Sequence, residues 1–277
     1  MLKHVAVRLT GRRLAAAALF AGVALTGCQT VNTTQSGTVG IDRSQRVFSL
    51  VSSEQLDGEA ATLYQKTLSD AQTKSALNPS AAETARVRAI AQRLIAQTGT
   101  FRQDALAWKW EVNVIGSDEV NAWCMPGGKI AVYTGFMKQV QPTDDELAAV
   151  IGHEIAHALR EHSRERVSQQ MATGFGLNVL NAVTGSQLST DMASKLADVT
   201  FNLPNSRTHE TEADRIGVEL AARAGFDPRA AVTLWTKMDK IGGSGQPEFL
   251  STHPSAASRI ADLQQASARV LPLYKPK

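Results

Sequence analysis

His153-Glu154-Ile155-Ala156-His157 places residues able to do chemistry at a spacing that a helix can use. Imidazoles four residues apart on a helix stand about 40° apart around its axis, so both reach one metal ion. Glu154 projects beside them, where a carboxylate can take a proton from water activated by that ion. Taken alone, the five residues also fit two structural histidines with satisfied hydrogen bonds.

A second stretch, Ser206-Arg207-Thr208-His209-Glu210-Thr211-Glu212-Ala213-Asp214-Arg215-Ile216-Gly217, supplies what that pair lacks. A catalytic zinc takes three protein ligands and keeps one position open, and two histidines with a glutamate are a standard set. Glu210 is the candidate third ligand. Glu210 and Asp214 are four apart and share a helix face, so Asp214 can hydrogen-bond a ligating imidazole while Glu210 binds the ion. By itself the run also reads as a solvated acidic face. A third histidine six residues past His157 is ruled out, because that position is Ser163, and Arg160 stands where that pattern uses a glycine. His162 is therefore out of register and reads as an exposed helix-end residue. His209 and Glu212 each point about 100° away from Glu210 and are weaker candidates.

These residues need a helix and a small sheet to hold them. Thr143-Asp144-Asp145-Glu146 reads as a capping box with acidic side chains at the positive end of the helix dipole, so a helix starts at Asp144. Leu147, Ile151, Ile155 and Ala158 form its apolar stripe, and the two histidines fall on another side, facing a site. Further helices are predicted at 53–75, 81–97 and 256–268, with caps at Ser80 and Ser255 and a break at Asn78-Pro79. Residues 110–115 read as a strand, and Pro126-Gly127-Gly128 turns a hairpin into Lys129 to Tyr133. The uncharged stretch from Val167 to Thr190 is rich in Ser, Thr, Gln and Asn and reads as soluble helix or a flap near the cleft, with a membrane span as the alternative. Gly242-Gly243-Ser244-Gly245 is a natural hinge. The fold class is mainly α with a small β-sheet (α+β).

The order of the hairpin around Asn121 to Gly135, H-E-x-x-H, E-x-E-A-D-R-x-G and Ser251-Thr252-His253-Pro254-Ser255 resembles the zinc metallopeptidases related to the CAAX prenyl endopeptidase. Within that family it is most similar to the soluble bacterial lipoprotein branch, over roughly residues 50 to 270. The resemblance implies a gluzincin-type metallopeptidase domain at 51–277 with one zinc, bound by His153, His157 and Glu210. Glu154 would be the general base, and Asp214 would orient a ligand. His253 would lie on a mobile loop, either plugging the metal in a resting state or stabilising the transition state. Asn121 would touch the substrate backbone, since an extended peptide can add to an open sheet edge near the zinc.

The amino terminus reads as a targeting segment. Lys3, Arg8, Arg12 and Arg13 precede a short apolar run, and Leu25-Thr26-Gly27-Cys28 resembles a bacterial lipobox. Cleavage before Cys28 and its lipidation are expected, and Gln29 favours the outer membrane; a transmembrane anchor and twin-arginine export are competing readings. Residues 28–50, rich in Thr, Ser, Gly and Gln, read as a flexible tether. Without residues 1–27 the formal net charge falls from +3 to −1, so no polyanion-binding surface and no nucleic-acid partner are expected. Cys124 then remains the lone thiol, expected buried in a strand. The function expected is a lipid-anchored, periplasm-facing zinc endopeptidase acting on unfolded or misassembled envelope proteins. A chaperone or assembly factor with repressed proteolysis is the alternative, and a structural zinc protein is disfavoured because Glu154 would have no task.

Overall fold

Residues 27–184, 192–241, 248–253 and 257–276 are described by the computed structural model. In chain order the elements are strands β1 (Cys28–Val31) and β2 (Gln45–Phe48), helices α1 (Ser53–Thr73) and α2 (Ala81–Ile95), then strands β3 (Glu111–Ile115), β4 (Ala122–Met125) and β5 (Lys129–Tyr133). They are followed by α3 (Thr134–Val140), α4 (Asp144–Leu159), α5 (His162–Thr184), α6 (Met192–Ala197) and a π-helical turn (Asp198–Asn202). The chain then runs through α7 (Arg207–Arg223), α8 (Ala230–Ile241), α9 (Glu248–Thr252) and α10 (Ala257–Val270). The architecture is mostly helical with two small sheets, as the α+β reading requires. The leader, the Gly242–Gly245 hinge and the Ser255 cap lie outside the described residues.

Helix α4 is the axis of the structure. Its capping box forms: Thr143 Oγ1 accepts from the Glu146 N–H at 3.2 Å, and Glu146 Oε2 accepts from the Thr143 N–H at 2.8 Å. Such caps contribute about 1 kcal/mol each. Every residue from Glu146 to Leu159 is buried. The expected stripe of Leu147, Ile151, Ile155 and Ala158 is in the core, but the remaining faces are covered too, by α7, α2, α8 and β4. The histidines therefore face an interior site and not an open groove.

The packing of α4 on α7 brings the two motifs together, and it does so main chain to main chain. A Cβ on Gly217 would lie 2.8 Å from the His153 nitrogen, and one on Gly152 would lie 3.0 Å from the Gly217 oxygen. Neither glycine can gain a side chain without moving the helices apart. Gly217→Ala is expected to cost about 1–3 kcal/mol through overpacking and to weaken metal binding, because His153 and Glu210 sit on opposite sides of this seam. Urea unfolding with a parallel zinc titration checks it; an unchanged midpoint and affinity would show that the seam tolerates a methyl group.

The three-stranded sheet has the order β3-β5-β4, with β3 parallel and β4 antiparallel to β5, so β4 is an edge strand. The hairpin turns where expected, with Gly127 and Gly128 at φ +70° and +79°. Cys124 is buried in β4 as expected.

Residues 28–50 are not a free tether. β1 pairs with β2, and Val39, Ile41, Val47 and Phe48 are buried. The composition hid this, because most of the attachment is polar: the Val39 N–H donates to Glu219, and Arg43 binds both Glu165 and Glu212. Among the described residues, no helix is long and apolar enough to cross a membrane, although α5 covers much of the uncharged stretch.

Candidate metal centre

Four residues converge. His153, His157, Glu210 and His253 each offer a ligand atom within 4.8 Å of the others, and all four are buried. His153 and His157 come from α4, Glu210 from the first turn of α7 and His253 from the end of α9. Ser206 caps α7 by accepting from the His209 N–H at 3.1 Å, which fixes the turn that carries Glu210.

Hydrogen-bond direction shows what the centre is built to hold. Asp214 Oδ1 lies 2.9 Å from His153 Nδ1. Asp214 is kept ionised: burial pushes its carboxyl up, but Arg259 and His153 outweigh this and lower it. An ionised carboxylate only accepts, so His153 Nδ1 carries the proton and a neutral ring leaves Nε2 as a bare lone pair. His253 Nδ1 lies 3.0 Å from Thr252 Oγ1 and 3.2 Å from the Phe249 carbonyl; the carbonyl only accepts and Thr252 spends its own proton on that carbonyl, so Nδ1 is the donor and Nε2 is bare as well. His157 Nδ1 meets His162 Nδ1 at 2.8 Å, and His162 Nε2 meets Glu212 Oε2 at 3.0 Å. Burial first, then His209, His157 and Arg160, push His162 well below the usual imidazole range, so it is neutral. Its proton goes to Glu212, its Nδ1 accepts from His157, and His157 Nε2 is the third bare nitrogen.

Three lone pairs thus face the Glu210 carboxylate, whose two oxygens are buried without a well-formed hydrogen bond, Oε2 being ion-paired with Arg259 at 2.7 Å. Burial pushes that carboxyl up, but His253, His153 and His157 hold it well below the usual range. Such an arrangement calls for a cation. With ligand bonds of about 2.0–2.1 Å, donors on a tetrahedral zinc lie about 3.3 Å apart. Here His153 Nε2 and His157 Nε2 are 3.1 Å apart, and Glu210 oxygens are 3.5 Å and 3.4 Å from them. The donor set fits zinc. A proton can take the cation's place: burial lowers the His153 pKa, but the hydrogen bonds to Asp214 and Glu210 raise it overall to about 9.

Glu154 lies beside the donors with its Oε1 unpartnered and 3.4 Å from His253 Nε2. Burial, reinforced by Glu210 and opposed by His153 and Arg259, pushes its carboxyl up to about 8. The Cys124 main chain faces this carboxylate and opposes the rise. That contact lies on the unpaired edge of β4, whose residues are all buried. The Asn121 carbonyl accepts from the Tyr133 N–H of β5, so by strand alternation the main-chain groups of Ala122 and Cys124 point outward. Asn121 Oδ1 accepts from the Ala122 N–H at 2.9 Å. Asn121, expected to touch the substrate backbone, lies just before the edge strand, with its carboxamide oxygen occupied by its own chain and outside the donor cluster.

Arg259 is turned inward. It donates twice to Asp214 at 2.8 Å, approaches Glu210 Oε2 at 2.7 Å and stacks on Trp235 at 3.8 Å. It holds the ligand side of the centre. His162 is also misread from sequence: it is 1% exposed, not a solvated helix end. The left-handed residue Glu161 (φ +52°) folds α5 back at the end of α4, which returns His162 to His157. Likewise His209 and Glu212 do turn away from the donors, yet they are buried in a supporting network, with His209 Nε2 3.1 Å from Glu165.

A cavity of about 30 Å³ opens beside Glu154 and His253, lined also by Trp123, Cys124, Arg166 and Asn205. It has room for water and none for a peptide. A larger cavity of about 300 Å³ lies behind the centre at Arg43, Arg207 and Arg215, away from Glu154 and the four donors.

Residues 81–267 match peptidase family M48. The chain belongs to that family. It is 27% identical to the metalloprotease YcaL of Escherichia coli over 88% of this chain and 92% of that protein, and 26% identical to the metalloprotease LoiP of the same organism over 89% and 93%. The mitochondrial metalloendopeptidase OMA1 of Arabidopsis thaliana is 40% identical over 57% of this chain. The chain spans about a third of that OMA1 and under half of its Schizosaccharomyces pombe counterpart. M48 metalloproteases use zinc, in agreement with the donor set.

Proposed function

We propose that this M48 chain is a zinc endopeptidase that hydrolyses unfolded or misassembled envelope proteins. The observation that carries the reading is the convergence of three bare imidazole nitrogens and the buried Glu210 carboxylate beside Glu154. Zinc, when bound there, supplies a Lewis acid that acidifies water and polarises a carbonyl. Glu154 takes the proton of the attacking water and returns it to the leaving amine. Asp214 and Arg259 keep His153 and Glu210 oriented. The outer edge of β4 supports recognition of an extended substrate through its main chain, which makes cleavage tolerant of sequence. In the resting arrangement Asn121 takes up the Ala122 N–H and Glu154 faces the Cys124 main chain, so substrate entry has to displace them.

The leader pattern and the exposed Cys28 support lipidation and an outer-membrane, periplasm-facing location. The test is cleavage of an unfolded reporter protein by the purified chain, with chelator and then zinc added back. Loss and recovery of cleavage are expected; cleavage indifferent to chelator would sink the reading. The tight cavity favours a second possibility, an assembly factor with proteolysis repressed, which predicts reporter binding with no cut in either condition.

His253 completes a four-donor set and is stacked on Phe249 at 4.4 Å, which supports a resting plug. His253→Ala is expected to raise reporter cleavage several-fold at unchanged zinc content. A fall in kcat would reassign it to the transition state.

A further inference from the structure

We infer that residues 34–45, which precede the family-matched region, complete the metal centre from behind: Arg43 fixes Glu212, Glu212 fixes His162, and His162 holds the proton on Nδ1 of His157 so that Nε2 stays free for the cation. The inference rests on the zinc reading above. It makes Arg43, Glu212 and His162 positioning residues.

The contacts form an unbroken path. Arg43 Nε lies 2.6 Å from Glu212 Oε1, and its two terminal nitrogens grip Glu165 at 2.8 and 2.9 Å. Glu212 Oε2 receives His162 Nε2 at 3.0 Å and Arg160 Nε at 3.1 Å. His162 Nδ1 then receives the His157 proton at 2.8 Å. Arg160, 1% exposed, is held by the segment from two sides, donating to the Arg43 carbonyl at 2.9 Å and to Thr34 Oγ1 at 3.1 Å. Gln45, fully buried, donates to the Arg160 carbonyl and to Glu165. Glu165 in turn accepts from His209, whose ring stacks on His162 at 4.3 Å.

The physical consequence is directional. A neutral imidazole carries one proton, and only an acceptor at Nδ1 keeps that proton off Nε2. His153 has Asp214 for this purpose. His157 Nδ1 meets a second imidazole in place of a carboxylate, and the orientation of that imidazole comes from Glu212. A carboxylate so placed among buried groups needs cations around it, and Arg43 supplies one from outside the helices that carry the ligands. Partners of metal-binding histidines typically tune affinity by about 10–100-fold.

The test is zinc affinity of the full chain, by competition with a chromophoric chelator, with 15N spectra of the His157 ring in zinc-free protein. His162→Leu is expected to weaken zinc about 10–100-fold and to mix the His157 tautomers. His162→Gln, which offers a carbonyl oxygen to the same proton, should recover most of the loss, a rescue that a purely structural role would not give. Arg43→Met should weaken zinc in the same direction but less, while Arg46→Ala, exposed on β2 three residues further on, should not. Far-UV circular dichroism and Tm establish that each variant is folded. Should His162→Leu fail to fold, Arg43→Met carries the test, since it leaves every side chain of the α4 and α7 site intact. Unchanged affinity in folded His162→Leu or Arg43→Met, with normal binding by the wild type, overturns this inference alone. A wild type that binds no zinc overturns the parent reading and this inference with it.

Discussion

Glu154→Gln is expected to keep its zinc and its fold while losing turnover by a factor of about 10² to 10⁴, the usual contribution of a positioned general acid–base. The substitution is close to isosteric, and Glu154 is 3% exposed in a packed helix, so volume and helix propensity hardly change. The Cys124 main chain still faces an amide oxygen there. What disappears is the ability to take and return a proton. Burial already pushes the Glu154 carboxyl up to about 8, and a divalent cation among the donors would draw it down again, which places it in the range where proton transfer in both directions is useful. The measurement is kcat on an unfolded reporter together with zinc stoichiometry. Wild-type turnover in a variant that holds one zinc would remove Glu154 from the proton path.

Glu210→Ala is expected to abolish zinc-dependent stabilisation. In the wild type, free zinc at 100-fold over its Kd stabilises the fold by about 2.7 kcal/mol; the variant should gain close to nothing at the same concentration. Two effects add. The carboxylate that neutralises the cation is gone, and Arg259 loses its 2.7 Å partner, leaving a buried guanidinium pointing at the site and repelling any metal. Urea unfolding with and without zinc reads this directly. A variant whose midpoint still shifts with zinc as far as the wild type's would show that Glu210 is no ligand.

Helix α4, its Thr143 cap and the pairing of Glu210 with Asp214 were legible because each depends on spacing within one helix, where geometry follows from counting. The hairpin at Gly127-Gly128 was legible for the same local reason. His162 was not, because its position depends on one left-handed residue, Glu161, and a count along a continuous helix carries it away from His157. The attachment of residues 28–50 was not legible either. Its apolar residues are too few to show a period, and its polar contacts join Arg43 to Glu165 and Glu212, more than a hundred residues away. Burial on every face of α4 was missed because Ala148, Ala149, Ala156 and Gly152 carry little hydrophobic signal, yet their small size is what lets neighbouring elements close in.

The Gly152–Gly217 contact has a mechanical corollary. Two helices whose backbones touch cannot slide or spread without losing that fit, so the pair bearing His153, His157 and Glu210 behaves as a fixed jaw. Widening a 30 Å³ space to admit a polypeptide then falls to the opposing side. There Arg166 clasps the Val199 and Leu203 carbonyls and Asn205, and the Asn205 N–H donates to the Thr252 carbonyl beside His253. That clasp is the part of the molecule where a movable jaw would be released.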